Sequence, residues 1–355
     1  MNKKIIYLCA CAVAGLMLTT SCQDSLETDS SNSNTRSVII DKNVFAVKGR
    51  INVKLTEAAT RAIPATRSGK IDMQSVPSPM LSAMNYAGAY RMERVFKPAG
   101  VYEARTKAAG LDRWYTIYFD DSKDVSAVIE HFNKVKGVEF AERILPILQP
   151  KETSVPYEGS ASGMQTRVGN SAFNDPLLSK QWHYYNDGTI SPRAKKGADC
   201  NVLPVWEKYT TGKSNVIVAV VDGGIDVTHE DLVDNLYVNE KEKNGQPGVD
   251  DDGNGFVDDV NGYNFVEATD VVGGTIEPDD EGHGTHVAGT VAARNNNGKG
   301  VSGIAGGDGS TGSGVRLMSC QIFRNKNEQG DAAAAIKYAA DNGAVICQNS
   351  WGYSS

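Results

Sequence analysis

Ser214–Asp226 reads SNVIVAVVDGGID, with six consecutive apolar residues, Val216 to Val221, running into Asp222 and two glycines. An unbroken apolar run of strand length marks a strand buried on both faces, as in a parallel sheet covered by helices. Asp222 then stands at the carboxyl end of that strand, where open α/β sheets gather their functional groups. Three further elements follow: a strand in VRLMSCQIF (Val315–Phe323), a helix across DAAAAIKYAADNG (Asp331–Gly343) closed by its glycine, and a strand in AVICQNS (Ala344–Ser350). This alternation predicts an α/β fold built on a doubly wound parallel sheet.

Between the first two strands, EGHGTHVAGTVAA (Glu281–Ala293) places His283 and His286 three residues apart at the start of a predicted helix. A zinc hydrolase would need glutamate beside such a pair and a third ligand. Here Gly284 and Thr285 intervene, and His131, His183 and His229 share no spacing with the pair. The pattern therefore argues against a metal pair and leaves a catalytic base with a bystander, or two buried rings with no task. DGGID followed by GHGTHVAGT is similar to the Asp and His blocks of the subtilisin-like serine proteases, and the resemblance extends over Phe173 to Gly352. It implies that Asp222 is the triad aspartate, that His283 is the general base, and that His286 is a bystander bonded within its helix.

The residue types suit that chemistry. A serine hydroxyl is a poor nucleophile at neutral pH, so an imidazole must take its proton and later give one to the leaving amine. A buried carboxylate fixes the imidazole tautomer and stabilises the imidazolium. Gly282 and Gly284 leave room beside the ring. QNSWG (Gln348–Gly352) resembles the family segment that lines the specificity pocket, where a polypeptide substrate adds as a strand to the backbone of Ser350, Trp351 and Gly352. Trp351 also reads as a core aromatic, and the sequence leaves both readings open.

The net charge of −7 hides a strong asymmetry: residues 37–150 carry about +5 and residues 151–355 about −12. So acidic a back half argues against nucleic acid as a partner. Between Glu240 and Glu281 there are 13 acidic residues against two lysines. Within that stretch DDDGNGFVDD places Asp250, Asp252, Asn254 and Asp258 at the first, third, fifth and ninth positions of a calcium loop, with Gly255 at the sixth. The twelfth position is Asn261 in place of glutamate, which argues against a full EF-hand; a calcium-holding insertion is expected, the alternative being a solvated acidic loop. The family resemblance implies a second calcium site at Asp175, Asp231 and Asn296, with Asn297 as the competing ligand in a loop one residue longer.

The front of the chain has a different character. Strands are predicted at Arg50–Leu55, Arg113–Phe119 and Val138–Ile144, with an amphipathic helix over Asp124–Val135 whose Val125, Val128, Ile129 and Phe132 share one face. Residues 38–150 thus form a small α+β domain, which the resemblance implies is a ferredoxin-like propeptide blocking the cleft with its C-terminal strand. The opposite charges of the two halves favour that intramolecular inhibitor. Residues 151–172, rich in Pro, Gly, Ser and Thr, read as a linker with a maturation site, before an incomplete catalytic domain at 173–355.

Lys3 and Lys4, the apolar run Ile5–Leu18 and the small residues before Cys22 form a secretory signal over residues 1–22, too short to span a membrane. Cys22 resembles the lipidated cysteine of bacterial lipoproteins, although Thr19 departs from the usual aliphatic residue. Residues 23–37 are a polar tether. The chain is expected in the cell envelope, anchored to the outer membrane by lipid and surface-exposed. Cys320 and Cys347 lie in apolar strands and read as buried and inert.

The family pattern further requires an Asn in a Gly-Asn turn and a Ser in a Gly-Thr-Ser block. Neither occurs before the chain stops at WGYSS, so the nucleophile is expected beyond Ser355 and the 355 residues alone to be inactive. The alternative is a non-catalytic surface lipoprotein that binds peptides or a partner protease.

Overall fold

The computed structural model describes residues 40–41, 45–64, 66–149, 173–189, 191–267, 272–278, 281–325 and 328–353. The signal sequence, Cys22, the tether and the 151–172 linker lie outside the described residues.

The front domain is a five-stranded antiparallel sheet with two longer helices on its core-facing side and two shorter ones, Glu57–Arg61 and Glu103–Ala108. Its elements are β1 (Arg50–Leu55), β2 (Lys70–Ile71), α1 (Ser78–Ala87), β3 (Arg91–Arg94), β4 (Trp114–Tyr118), α2 (Val125–Asn133) and β5 (Val138–Arg143). The sheet order is β2-β3-β4-β1-β5, which is a ferredoxin-like arrangement with β2 added at one edge. Period-two alternation decides what each strand buries. Ile51, Val53 and Leu55 of β1, Met92 of β3, and Tyr115 and Ile117 of β4 join Met80, Met84, Val128 and Phe132 of the helices in one core. Arg50, Arg91 and Tyr118 therefore lie on the opposite face. Asp124 caps α2 by accepting the Ala127 N–H, and Gly88 ends α1 in the left-handed conformation. Helix α1, β2 and β3 were missed in the sequence because their apolar residues, mostly Ala and Met, make no strong period.

After Arg143 the chain leaves the front sheet. The strand β6 (Ile147–Leu148) pairs with an element of the back half.

The back half holds a four-stranded, wholly parallel sheet. Its strands are β7 (Ile217–Asp222), β8 (Gly262–Asn264), β9 (Arg316–Gln321) and β10 (Ile346–Asn349), in the order β8-β9-β7-β10. Besides the short helix Leu203–Lys208, its helices are α3 (Glu240–Lys243), α4 (His283–Ala292) and α5 (Ala332–Asp341), and a final strand β11 (Gly352–Tyr353) follows β10. Val218, Val220 and Leu317 face Ala288 and Ala292 of α4, whereas Ala219, Val221, Met318 and Cys320 face Ala335, Tyr338 and Ala339 of α5. Helices on both faces make the sheet doubly wound, as the continuous apolar run in β7 demands. Cys320 is fully buried, which pushes its thiol pKa up and leaves it inert, while Cys200 is exposed.

Asp331 caps α5 through the Ala334 N–H at 2.8 Å. Burial pushes its carboxyl pKa up to about 6. A raised carboxyl binds more protons folded than unfolded, so its contribution to stability is present in acid and lost as pH rises from about 4 through about 6. In Asp331→Asn, which keeps a capping oxygen, urea midpoints compared at pH 4.5 and pH 7 are expected to fall less than in the parent. An unchanged fall would mean that Asp331 does not supply the slope.

Candidate active site

The last residue of β7 is Asp222, fully buried, and the first residue of α4 is His283, 5% exposed. His283 Nδ1 lies 2.7 Å from Asp222 Oδ1, which also accepts the Gly223 N–H at 2.7 Å. Each neighbour in the two motifs has a task in this approach. Gly282 takes φ +66 as the residue before the helix, a conformation that favours glycine, and no atom crowds its missing side chain. Gly284 is the position of closest approach, where a Cβ would lie 2.3 Å from the Gly224 carbonyl oxygen. The room expected at both glycines is thus needed only at Gly284. Thr285 Oγ1 accepts the Asp226 N–H at 2.9 Å, and Ser319 Oγ on β9 accepts the Ile225 N–H at 3.1 Å. The two motif loops are therefore tied together and to the sheet.

His286 is exposed, and only its backbone bonds within the helix, donating to the Gly282 carbonyl. The expected side-chain bond is not formed among the described residues.

The segment after β10 runs beside this pair. Trp351 is half-buried against the α5-side core and donates its indole N–H to the Val221 carbonyl at 2.9 Å, one residue from Asp222. Its side chain thus serves the core, while the next residue offers backbone. Gly352 pairs with Leu148 and Tyr353 with Ile147, antiparallel, so β6 lies on β11 as an added strand. Ser350 Oγ accepts a bond from Gln348 Nε2 at 2.9 Å. Ile147 is buried, its carbonyl accepts from Gln329 Nε2 at 2.7 Å, and Gln149 Nε2 reaches Asp222 Oδ1 at 3.3 Å. The front domain thus ends in the groove beside the Asp–His pair.

Two family profiles match this chain: the one described as "Subtilase family" over residues 213–355, and the one described as "N-terminal of Subtilase family" over residues 51–188. The chain belongs to the subtilase family.

This subtilase chain is 35% identical over 213 residues to Subtilisin-like protease 1 of Plasmodium berghei (strain Anka), covering 59% of the chain and 31% of that protein. It is 29% identical over 209 residues to kexin of Saccharomyces cerevisiae, covering 59% of the chain and 20% of kexin. Among solved structures, fervidolysin from Fervidobacterium pennivorans, a keratinolytic enzyme related to subtilisin, aligns with TM-score 0.48 and 20% identity over 94% of this chain and 41% of its own. The chain spans about a third or less of the length of these curated relatives.

Two carboxylate clusters stand apart from the Asp–His pair of the subtilase. In the acidic insertion, Asp250 and Asp252 are joined by Glu242 of α3, with one oxygen from each within 4.8 Å of the others. Glu242 is buried and organises the loop by accepting the N–H groups of Asp251, Asp252 and Asp258 at 2.7, 2.9 and 2.9 Å. Of the four residues expected there, the structure gathers Asp250 and Asp252. Asp258 turns its carboxylate to the Gly248 N–H, and the Asn254 side-chain oxygen accepts the Phe256 N–H at 2.8 Å. A positive φ at Asp258 and the tight turn at Gly255 redirect both side chains. Glu242 was missed because it lies eight residues before the loop, on a helix that no linear spacing connects to it.

In the second cluster Asp175 and Asp231 are both buried. Burial pushes both carboxyl pKa values up, and Asp175 raises that of Asp231 further. Asp175 accepts the N–H groups of Asn296 and Asn297 and the Ser302 hydroxyl. The asparagine side chain that reaches Asp231 is that of Asn297, at 2.7 Å, whereas Asn296 Oδ1 turns to the Asn174 N–H at 3.2 Å. Asn296, at φ +55, serves the turn.

Proposed function

We propose that this chain is the front part of a serine endopeptidase precursor that hydrolyses peptide bonds with an Asp–His–Ser triad, Asp222 and His283 supplying two members. The observation that carries this reading is the 2.7 Å bond between His283 Nδ1 and the fully buried Asp222. With Nδ1–H held by the carboxylate, Nε2 is the nitrogen that takes the serine proton as Oγ attacks the carbonyl carbon. The same proton passes to the amine nitrogen as the scissile C–N bond breaks. Asp222 stays ionised and stabilises the imidazolium between these steps. The third member of such a triad would be the serine of a Gly-Thr-Ser block.

The front domain acts as the intramolecular inhibitor, its β6 taking the place of substrate on Gly352, and 151–172 holds the maturation cut. Arg50 with Glu267 at 2.9 Å and Arg105 with Asp341 at 3.6 Å support the charge complementarity of the halves. Cys22 carries a lipid that anchors the precursor to the outer membrane. Peptide mapping and intact mass of the cell-derived polypeptide, followed by labelling with a serine-directed fluorophosphonate, test the reading. A Gly-Thr-Ser block that takes the probe supports it, and a native polypeptide that neither contains such a block nor labels overturns it. The same mass reads the lipid on Cys22.

Calcium fits the Glu242–Asp250–Asp252 cluster by donor chemistry, since hard oxygens are gathered there; at Asp175 and Asp231 a divalent cation would neutralise two buried carboxylates once the Asn297 amide, whose nitrogen donates to Asp231 and whose oxygen accepts the Lys299 N–H, turns its oxygen inward. Asp250, Asp252 and Glu242 would hold one ion, and Asp175, Asp231 and Asn297 another. Calcium at about a hundred times its Kd is expected to stabilise the fold by about 2.7 kcal/mol per site. Asp252→Asn should remove one increment and Asp231→Asn the other in thermal melts with calcium or chelator. Melting that ignores calcium in the parent would sink both sites.

A further inference from the structure

Tyr118 is 1% exposed, although strand alternation turns it away from the front-domain core. Its cover must come from elsewhere. It forms the centre of a cross-strand row, paired in register with Arg50 of β1 on one side and Arg91 of β3 on the other. The Arg91 guanidinium lies 3.9 Å from the ring centroid and that of Arg50 5.2 Å. Two carboxylates complete the row. Glu93, in the same sheet, bonds to Arg91 Nε at 3.0 Å and lies 2.7 Å from the Tyr118 hydroxyl. Glu267, from the back half, lies 3.0 and 3.2 Å from that hydroxyl and 2.9 Å from Arg50 Nη1.

Backbone bonds place Glu267 for this contact. Just before it, Phe265 donates its N–H to the Gln321 carbonyl at the end of β9, and Val266 bridges Gly330. Glu267 thus stands just past β8, its backbone tied to the end of β9 through Phe265 and to the Gln329–Gly330 segment. One phenol proton cannot serve two carboxylates at once, and it is the two guanidiniums that make a second negative charge acceptable beside the first. Arg91 answers Glu93 within the front domain, whereas Arg50 answers Glu267 across the interface.

We propose that Glu267 is a latch on the catalytic part that the front domain recognises through Arg50 and Tyr118, a docking point separate from the strand β6 in the cleft. The latch holds the front domain in place after the linker is cut, and it makes an acidic group at this position a requirement for recognition. The proposal rests on the reading of the front domain as a propeptide that separates from the catalytic part.

The test uses the full chain with a site for an added protease inserted within 151–172. The chain is cut, and release of the front piece from the complex is timed by size exclusion. Glu267→Gln and Tyr118→Phe are each expected to speed release about tenfold or more, a discounted figure because Glu267 is a third exposed. Arg50→Glu should release faster still, and adding Glu267→Arg to it should restore retention to within about threefold of the parent. Tyr118→Phe, which keeps the ring and its packing, decides the matter if Glu267→Gln does not fold. Release within twofold of the parent in the folded single variants, or a charge swap that releases as fast as Arg50→Glu alone, would overturn the latch. The readout needs no proteolytic activity, so failure of the protease reading and failure of the latch are separate results.

Discussion

In the proposed endopeptidase, His283→Ala is expected to lower turnover of a peptide substrate about 10⁶-fold, and Asp222→Asn about 10⁴-fold. The difference follows from what each group does. In the proposed mechanism His283 moves the proton, so its loss leaves serine with water as the only base. Asp222 does not move a proton. It fixes the tautomer and charge of the ring, and an asparagine of the same shape can present its N–H to Nδ1 and so hold the wrong tautomer. The two effects should not add, because both variants disable one unit. Initial rates on a fluorogenic peptide measure this, with KM followed separately. A His283→Ala enzyme that keeps a hundredth of parental turnover would exclude His283 as the base.

Gly284→Ala should cost at least about a hundredfold in turnover without touching any reacting group. Alanine is the better helix former, and at an exposed site the change would stabilise α4. Here its Cβ would stand 2.3 Å from the Gly224 carbonyl oxygen and 2.9 Å from the Gly224 nitrogen. Neither backbone atom can rotate away as a side chain would. The first turn of α4 must then back off the β7 loop, which lengthens the 2.7 Å bond from His283 to Asp222. A shift of about 1 Å suffices for the loss expected. Turnover near the parental value, with the fold intact by circular dichroism, would show that the helix can be displaced without harm. Gly282→Ala is the informative contrast, since nothing crowds that position and only its left-handed φ of +66 opposes a side chain.

The parts that were legible in the sequence share one property: their signal lies within a few residues. The apolar run Val216–Val221 requires cover on both faces, and its period sends Val218 and Val220 toward α4 while Ala219 and Val221 meet α5. Helix α2 was legible from its apolar face. By contrast, α1 packs with alanines and methionines that carry no strong period, and the two-residue strands β6 and β11 have no local signature at all. The latter exist because each supplies the other's backbone partners across more than two hundred residues.

What the sequence by itself determined is the kind of fold, the strand end that carries Asp222, and the helix that opens with His283, because strand burial and close glycine packing leave a local imprint in residue type. The tertiary structure decided which side chains meet: Glu242 with Asp250 and Asp252, Asn297 rather than Asn296 with Asp231, Gln149 with Asp222, and Arg50 and Tyr118 with Glu267. The physical reason is that a side chain's direction depends on the φ of its own residue and on the register of distant strands, neither of which leaves a mark in a linear spacing.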